Sequence, residues 1–569
     1  MSYLQIQRNR GGTGEELAYV HLARSLWDPA RGRSVQRRVY VGRLEQSGER
    51  LVLSKGYGAR SGQIVELSDL RRRLESGEDV EAWLRMPAPG ALPAASGGDV
   101  PAGVATVGDA HVLLHLAREI GLAGLVEAAF GASAGPALLG LALHQAAEGR
   151  AIYLARDWLD DREVPPAMHG SLLQTDRVYG LIAAAGSDAP AQEQFFRGWI
   201  AASGRPAALI YDITSISTYA RDLELAEWGY NRDGESLPQI NLALVSDSRS
   251  GRPLWYRALP GSIPDVSTLR LTGELLHDLG LQDFSFSLDR GFYSQANVRG
   301  MLQEQIGFTI GVPFSVAQAR ALVQRHRAAL GSTKRSFPFH DHIMRHVRAD
   351  WKVKGERGRP RGLDAHLFFE PARQAEAVIR TESGVFALEA KAAAERFDAR
   401  RDAWEWLVEN AGSLRSCLAV RPGPDGSWRI ERKPRAVALA TSRMGFTLVL
   451  TDRRGLAAEE VLERYRGRDR VEKLLDTLKN DDGQNRLRTG DDHSAAGRLF
   501  VAFLALVLHS EVERRLRDAG LLRRITVPQF LAQMRRIKSV RMATGARHLL
   551  EISRRNRDLL TAVGVPLPE

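Results

Sequence analysis

Two short apolar runs, each closing on an aspartate, constrain this chain more than any other feature in it. Ala207-Ala-Leu-Ile-Tyr-Asp212 and Phe284-Ser-Phe-Ser-Leu-Asp289 read as buried strands. Residues 237–245, 253–259 and 308–312 are further strands, while 265–279 and 294–305 carry helical patterns. The order is strand, strand, strand, helix, strand, helix, strand. It predicts an α/β sheet with antiparallel strands first and parallel ones after. A carboxylate at the end of a buried strand is costly without a partner or a cation, which makes Asp212 and Asp289 candidate site residues.

At 569 residues the chain is long enough for three or four domains. Its single cysteine, Cys417, excludes an internal disulfide and any Cys-based zinc ribbon, and predicts a reducing, cytoplasmic setting. The strongest apolar stretch, residues 499–508, is half of a membrane span and reads as a buried helix. The N-terminus has no apolar signal region, so no membrane association is expected. Residues 19–27 and 35–44 form a basic hairpin around the turn Asp28-Pro-Ala-Arg-Gly, with Arg24, Arg31, Arg33, Arg37, Arg38 and Arg43 on it. A helix with Leu70, Leu74 and Trp83 follows, and residues 86–105, rich in Pro, Gly and Ala, read as a linker. Residues 106–200 are helical. The sheet pattern resumes with Gly445-Phe-Thr-Leu-Val-Leu-Thr-Asp452, then one helix is expected over 456–479 and others over 499–519 and 527–538.

The formal net charge is +11, unevenly spread. Residues 1–73, 320–361 and 511–569 carry +7, +9 and +7, which leaves the remainder at −12. Three basic segments on an acidic body predict a polyanion held at several places. Arginine pairs at 514–515, 523–524, 535–536 and 554–555 are single solvated charges taken alone, and a DNA-facing surface taken together.

The densest chemistry lies in Tyr465-Arg-Gly-Arg-Asp-Arg-Val-Glu-Lys-Leu-Leu-Asp-Thr-Leu-Lys479. On a helix Tyr465, Arg468, Glu472 and Lys479 fall within about 60° of one another, so one face presents a phenol, two cations and a carboxylate. Asp212, Asp289 and Glu472 together are three hard oxygen donors that suit Mg²⁺ or Mn²⁺.

The spacing Y-x2-R-x3-E-x6-K, matched by Tyr465, Arg468, Glu472 and Lys479, resembles the signature of the DDE transposases of bacterial insertion sequences, the family-four superfamily. Tyr211-Asp-Ile-Thr-Ser and Leu288-Asp-Arg-Gly-Phe-Tyr-Ser are similar to the regions holding that family's first two catalytic aspartates, and residues 207–519 carry the likeness. The resemblance implies an RNase H-like catalytic core interrupted by a mixed, β-containing insertion. It also implies that Asp212, Asp289 and Glu472 are catalytic and hold two divalent ions, while Tyr465, Arg468 and Lys479 contact DNA. Transposon ends and target, both double-stranded DNA, are the implied partners, with a homodimer on DNA. The expected layout is a basic DNA-binding domain (1–85), linker (86–105), helical domain (106–200), catalytic core (201–331 and 436–510), insertion (332–435) and basic helical region (511–569).

Other features carry less. Asp476 is a rival third carboxylate whose ordinary place is the surface. An insertion-borne Trp stacks on a flipped base in related enzymes; Trp351, Trp404, Trp406 and Trp428 are of that type, and core packing is the ordinary role of each. His340-Asp-His-Ile-Met-Arg-His346 lacks the further ligands of a zinc site. Gly56-Tyr-Gly-Ala-Arg-Ser-Gly62 has no βαβ frame, and with no G-x-x-x-x-G-K-[ST] a nucleotide cofactor is not expected. Two other readings stand beside the transposase. One is a metal-dependent nuclease of the same fold without strand transfer. The other is a non-catalytic DNA-binding descendant, against which the full set of acids and the intact signature speak.

Overall fold

A computed structural model of the chain describes residues 2–10, 16–28, 33–45, 48–54, 64–76, 78–85, 101–174, 177–220, 222–229, 236–262, 267–353, 361–481, 486–487 and 489–569. The chain divides into two units, Met1–Val100 and Pro101–Glu569.

The first unit is an antiparallel sheet of β1 (Ser2–Arg10), β2 (Glu16–Asp28), β3 (Arg33–Leu44), β4 (Arg50–Leu53) and β5 (Ile64–Glu66), in that order. Two helices follow, α1 (Leu67–Glu75) and α2 (Val80–Arg85). Val20, Leu22, Val41, Leu51 and Leu53 alternate onto one sheet face and pack with Leu67, Leu70, Val80 and Leu84. The expected hairpin is therefore the centre of a larger sheet. Its turn, 29–32, and the glycine-rich 56–62 lie outside the described residues. β1 was not legible because only Leu4 and Ile6 in it are apolar; its pairing with β2 makes it a strand.

The second unit opens with β6 (Pro101–Thr106), inside the segment expected to be a linker. It is a strand because it pairs antiparallel with β19, named below. Helices α3 (Gly108–Glu119), α4 (Leu122–Glu148, kinked at Gly131), α5 (Ala155–Asp160), α6 (Val178–Ser187) and α7 (Ala189–Ser203) follow. The sheet then starts with β7 (Ala208–Thr218), β8 (Gln239–Asp247) and β9 (Pro253–Pro260). Next come α8 (Ser267–Asp278), β10 (Ser285–Leu288), α9 (Gln295–Gln303), β11 (Gly307–Gly311) and α10 (Ala317–Gly331).

Residues 332–435, expected to form one insertion, divide in two. β12 (Ser336–Phe339), β13 (His342–Val353) and β14 (Arg361–Phe369) extend the main sheet. α11 (Pro371–Ala393), α12 (Arg400–Ala411), β15 (Leu418–Pro422), β16 (Trp428–Arg432) and α13 (Pro434–Thr441) gather instead around a small core of their own, with Val385, Leu407, Leu418 and Ile430 in it. The chain returns through β17 (Phe446–Thr451), α14 (Ala458–Arg466), α15 (Arg468–Asp476) and β18 (Arg486–Leu487). It ends with α16 (Asp492–Asp518), α17 (Val527–Met534), β19 (Lys538–Met542), β20 (Arg547–Leu549) and α18 (Arg554–Ala562). The helix expected over 527–538 stops at Met534, and Lys538 already belongs to β19.

The main sheet runs β12-β13-β14-β17-β11-β10-β7-β8-β9. β7, β8 and β9 are antiparallel neighbours, and β10 and β11 run parallel to β7, as the strand pattern predicts. The result is a mixed α/β architecture. Its core is continuous with that of residues 107–200: Trp199, Phe195 and Leu143 belong to one apolar cluster with Tyr211, Phe286 and Phe503. α16 is the axis of that cluster. It is longer than the apolar run 499–508, and with α4 it is long and apolar enough to cross a membrane by length and composition; 89% of its apolar window is buried in this fold.

Candidate active site

The site begins with the register between two parallel strands. Ser285 lies opposite Ala208 and Ser287 opposite Ile210. The pairing ends there, with Asp289 just past the end of β10 and Asp212 two residues past the last pair on β7. Side chains two apart on a strand share a face, so Ile210 and Asp212 point one way, as do Ser287 and Asp289. That face is the one α14 and α15 cover. The Ser287 hydroxyl donates to the Arg464 carbonyl at 2.9 Å. A Cβ built on Gly467, between the two helices, would lie 3.2 Å from Ile210 Cδ1 and collide with the Ser248 carbonyl. Glycine at 467 is thus what lets the helix pair sit down on β7.

Asp212 is buried, 6% exposed, and its Oδ1 accepts from the Ile213 amide at 2.9 Å. Along β7 the neighbour on this side changes: β10 pairs with its first residues and β18 with Ser217 and Thr218. Asp212 falls between the two. Asp289 ends β10 and caps a short helical turn, accepting from the Arg290 amide at 2.5 Å.

Arg468 joins the pieces. Its Nη1 donates to Asp289 Oδ1 at 2.6 Å and to the Tyr465 hydroxyl at 3.0 Å, and its Nε donates to Glu472 Oε1 at 2.8 Å. Burial alone would lower its pKa; Tyr465, Asp289 and Glu472 outweigh that and raise it, so the guanidinium is a permanent charge. Burial, reinforced by Asp289, pushes the Tyr465 phenol up, which keeps it protonated as a hydrogen-bond donor. Tyr465 lies against Gly311 at the end of β11, where a Cβ would overlap its ring.

Asp289, Tyr465, Arg468 and Glu472 open on a cavity of about 660 Å³. Glu370 and Arg466, which sequence reasoning did not select, line it too and pair with each other; His342 Nδ1 is 2.8 Å from Glu370 Oε1. Only the adjacency of Arg466 to Tyr465 could have pointed to them.

Lys479 departs from the expected shared helical face. The helix expected over 456–479 breaks at Gly467 and ends in a π-turn, Thr477–Asp481, whose wider winding carries Lys479 off the face; it is buried, and away from this cavity. Asp476 is exposed. Trp351 is buried in β13 against Tyr293, Trp406 and Trp428 pack on the small core, and Trp404 is half exposed. His340 contacts Glu463, and His346 contacts His366.

The donor set Asp212, Asp289 and Glu472 is all hard oxygen, and two of its members already converge on one cationic group. That chemistry fits a divalent ion. Among the described residues, however, no three His, Cys, Asp or Glu side chains are gathered to hold one metal; the Arg468 guanidinium bridges Asp289 and Glu472 instead.

A family model of the transposase DDE domain matches residues 203–508. The chain belongs to this DDE transposase family. The match spans the sheet from β7 onward, the helix pair and most of α16, and so contains every residue of the site. No curated protein matches. Among solved structures, the cryo-EM structure of a piggyBac transposase synaptic complex with hairpin DNA is similar at 12% identity, covering 76% of each chain with a TM-score of 0.32.

Proposed function

We propose that this DDE transposase cleaves and joins DNA strands at the ends of a bacterial insertion sequence, through an RNase H-like core. The observation that carries the reading is the convergence of Asp289 and Glu472 on Arg468, beneath a helix pair seated on the strand that bears Asp212. The strand order β9-β8-β7-β10-β11, three antiparallel strands followed by two parallel ones, supports the fold assignment.

Asp212, Asp289 and Glu472 are the residues that would hold divalent ions. Two such ions supply activation of a water or a DNA 3′-OH and stabilisation of the leaving oxygen. Arg468, poised in the cavity, neutralises phosphate charge once it leaves the carboxylates. The Tyr465 hydroxyl donates to the DNA backbone, fixing the strand against the carboxylates. Joining two ends calls for a pair of chains on DNA.

The test is single substitution with two readouts. Asp212→Asn, Asp289→Asn and Glu472→Gln should each lower Mg²⁺-dependent cleavage and joining of end-bearing DNA by about 100-fold or more, with DNA binding retained, whereas Asp476→Asn should stay active. Full activity in any of the first three overturns the site. Cleaved product that is never joined would favour the nuclease reading.

A further inference from the structure

We infer that the exposed face of β1, β2 and β3 is the surface with which this chain reads base edges in duplex DNA. The inference rests on the proposed action at DNA ends and goes further, naming the face and the mode of recognition.

One face of the sheet belongs to the core with α1 and α2. The other is set by the register. Tyr3, Ala23 and Arg38 lie across from one another, as do Gln5, His21 and Tyr40, and Gln36 pairs with Ser25. Arg43 would point to the opposite face from Tyr40 by parity. A bulge at Val41 corrects that: Val20 pairs with Gly42 and His21 with Tyr40, so Val41 goes to the core and Arg43, opposite Tyr19, joins the outer face. Bulges that re-aim a side chain accompany function.

The same register sets Arg38 and Arg43 on this face, with no acid among its described residues, while Arg8, Arg24 and Arg37 lie on the opposite face. A face with cations and no acids is complementary to a polyanion.

The polar groups are those that read bases. Arg38 donates to Gln36 Oε1 through Nε at 3.2 Å and Nη2 at 3.0 Å, and Gln36 is held in turn by Tyr3. That contact engages Nε and one N–H of Nη2 and fixes the plane of the guanidinium, a pre-oriented group of the kind that matches guanine O6 and N7 through Nη1 and the second N–H of Nη2. Stacking on unpaired bases fits less well, because the rings are used on one another: Tyr19 and Tyr40 are 6.0 Å apart at 57°, His21 and Tyr40 5.4 Å apart at 51°.

The test uses the full chain. A duplex library with a randomised core is selected at physiological salt, and the winning duplex and a scrambled duplex of the same composition are compared by fluorescence anisotropy. Arg38→Ala and Arg38→Lys should each cut discrimination between the two about tenfold to a hundredfold. Arg38→Lys should keep the affinity for scrambled DNA, since it keeps the charge. Arg71→Ala, on α1, should change neither. Wild-type discrimination in both Arg38 variants, or a wild type that selects no sequence, overturns the inference. Metal-dependent nicking of supercoiled plasmid, measured on the same preparations, keeps the two proposals apart: it fails with the catalytic reading and survives failure of the β-sheet reading.

Discussion

Arg468 stands between two carboxylates that the proposed chemistry needs for metal, and this makes its removal informative. Arg468→Ala should leave Asp289 and Glu472 facing each other uncompensated, so the free protein should bind Mn²⁺ more tightly, by about tenfold, while DNA cleavage falls because the phosphate loses its cation. Titration of Mn²⁺ by electron paramagnetic resonance reads the first and a cleavage assay the second; weaker Mn²⁺ binding would sink the idea. At this scale the sequence was legible in part. Asp289, Tyr465, Arg468 and Glu472, named from a strand end and from helical spacing, meet at one cavity. Asp212, expected at a strand end, lies within a strand that runs on to Thr218 and does not line that cavity, nor does Lys479. Glu370 and His342 were not legible, because they reach the cavity from β13 and the end of β14, and no local pattern encodes the pairing of β13 with β14 and of β14 with β17.

Between elements, the decisive contacts are backbone approaches that only glycine permits. Gly311→Ala would drive a methyl group into the buried Tyr465 ring, which Arg468 holds in place. The expected cost is about 1–3 kcal/mol of stability, with slower cleavage as the α14 end is displaced from β11. Thermal unfolding and a single-turnover assay check it, and unchanged behaviour in both would mean that Tyr465 moves freely. The strands of the central sheet were legible because each is a continuous buried run. β6, β18 and β19 were not: Pro-Ala-Gly-Val-Ala-Thr reads as a linker and Lys-Ser-Val-Arg-Met as a helix end until they pair. The break at Gly467 was concealed by an apolar pattern that runs through it unbroken, from Val461 to Leu478.

Over the whole molecule, part of the basic C-terminal surplus turns inward. Arg514 and Arg515 bind Glu511, which is 1% exposed in its side chain, and Arg535 joins Arg162 on fully buried Asp109. Net charge by segment could not reveal this, since it does not say which acid faces which arginine: Glu511 lies within the segment and Asp109 far outside it. Acid sensitivity follows from a second buried set. His144, His346 and His509 are each held down to about 4, chiefly by burial. Below the ordinary value near 6.5 the unfolded chain takes up protons that the folded one refuses. Their effect is therefore constant above about pH 6.5, and stability falls as pH drops from there toward 4. The urea midpoint should decrease between pH 7 and pH 5, and His509→Leu should flatten that decrease; an identical slope would rule out His509 as a contributor.

Phe369 and Phe446 face each other across β14 and β17, and the Glu370 amide donates to the Gly445 carbonyl at 2.9 Å. The helices and hairpin of residues 371–441 thus leave the sheet and re-enter it at one point. Topologically they are the tip of a β-hairpin, grown to the size of a module with an interior of its own. A chain can acquire, exchange or lose such an appendage without re-threading any strand of the catalytic sheet. Only the first turns of α11 are tied to the candidate site, where Ala372, Arg373 and Glu376 line the same cavity as Asp289, Arg468 and Glu472; the rest is free to vary among relatives.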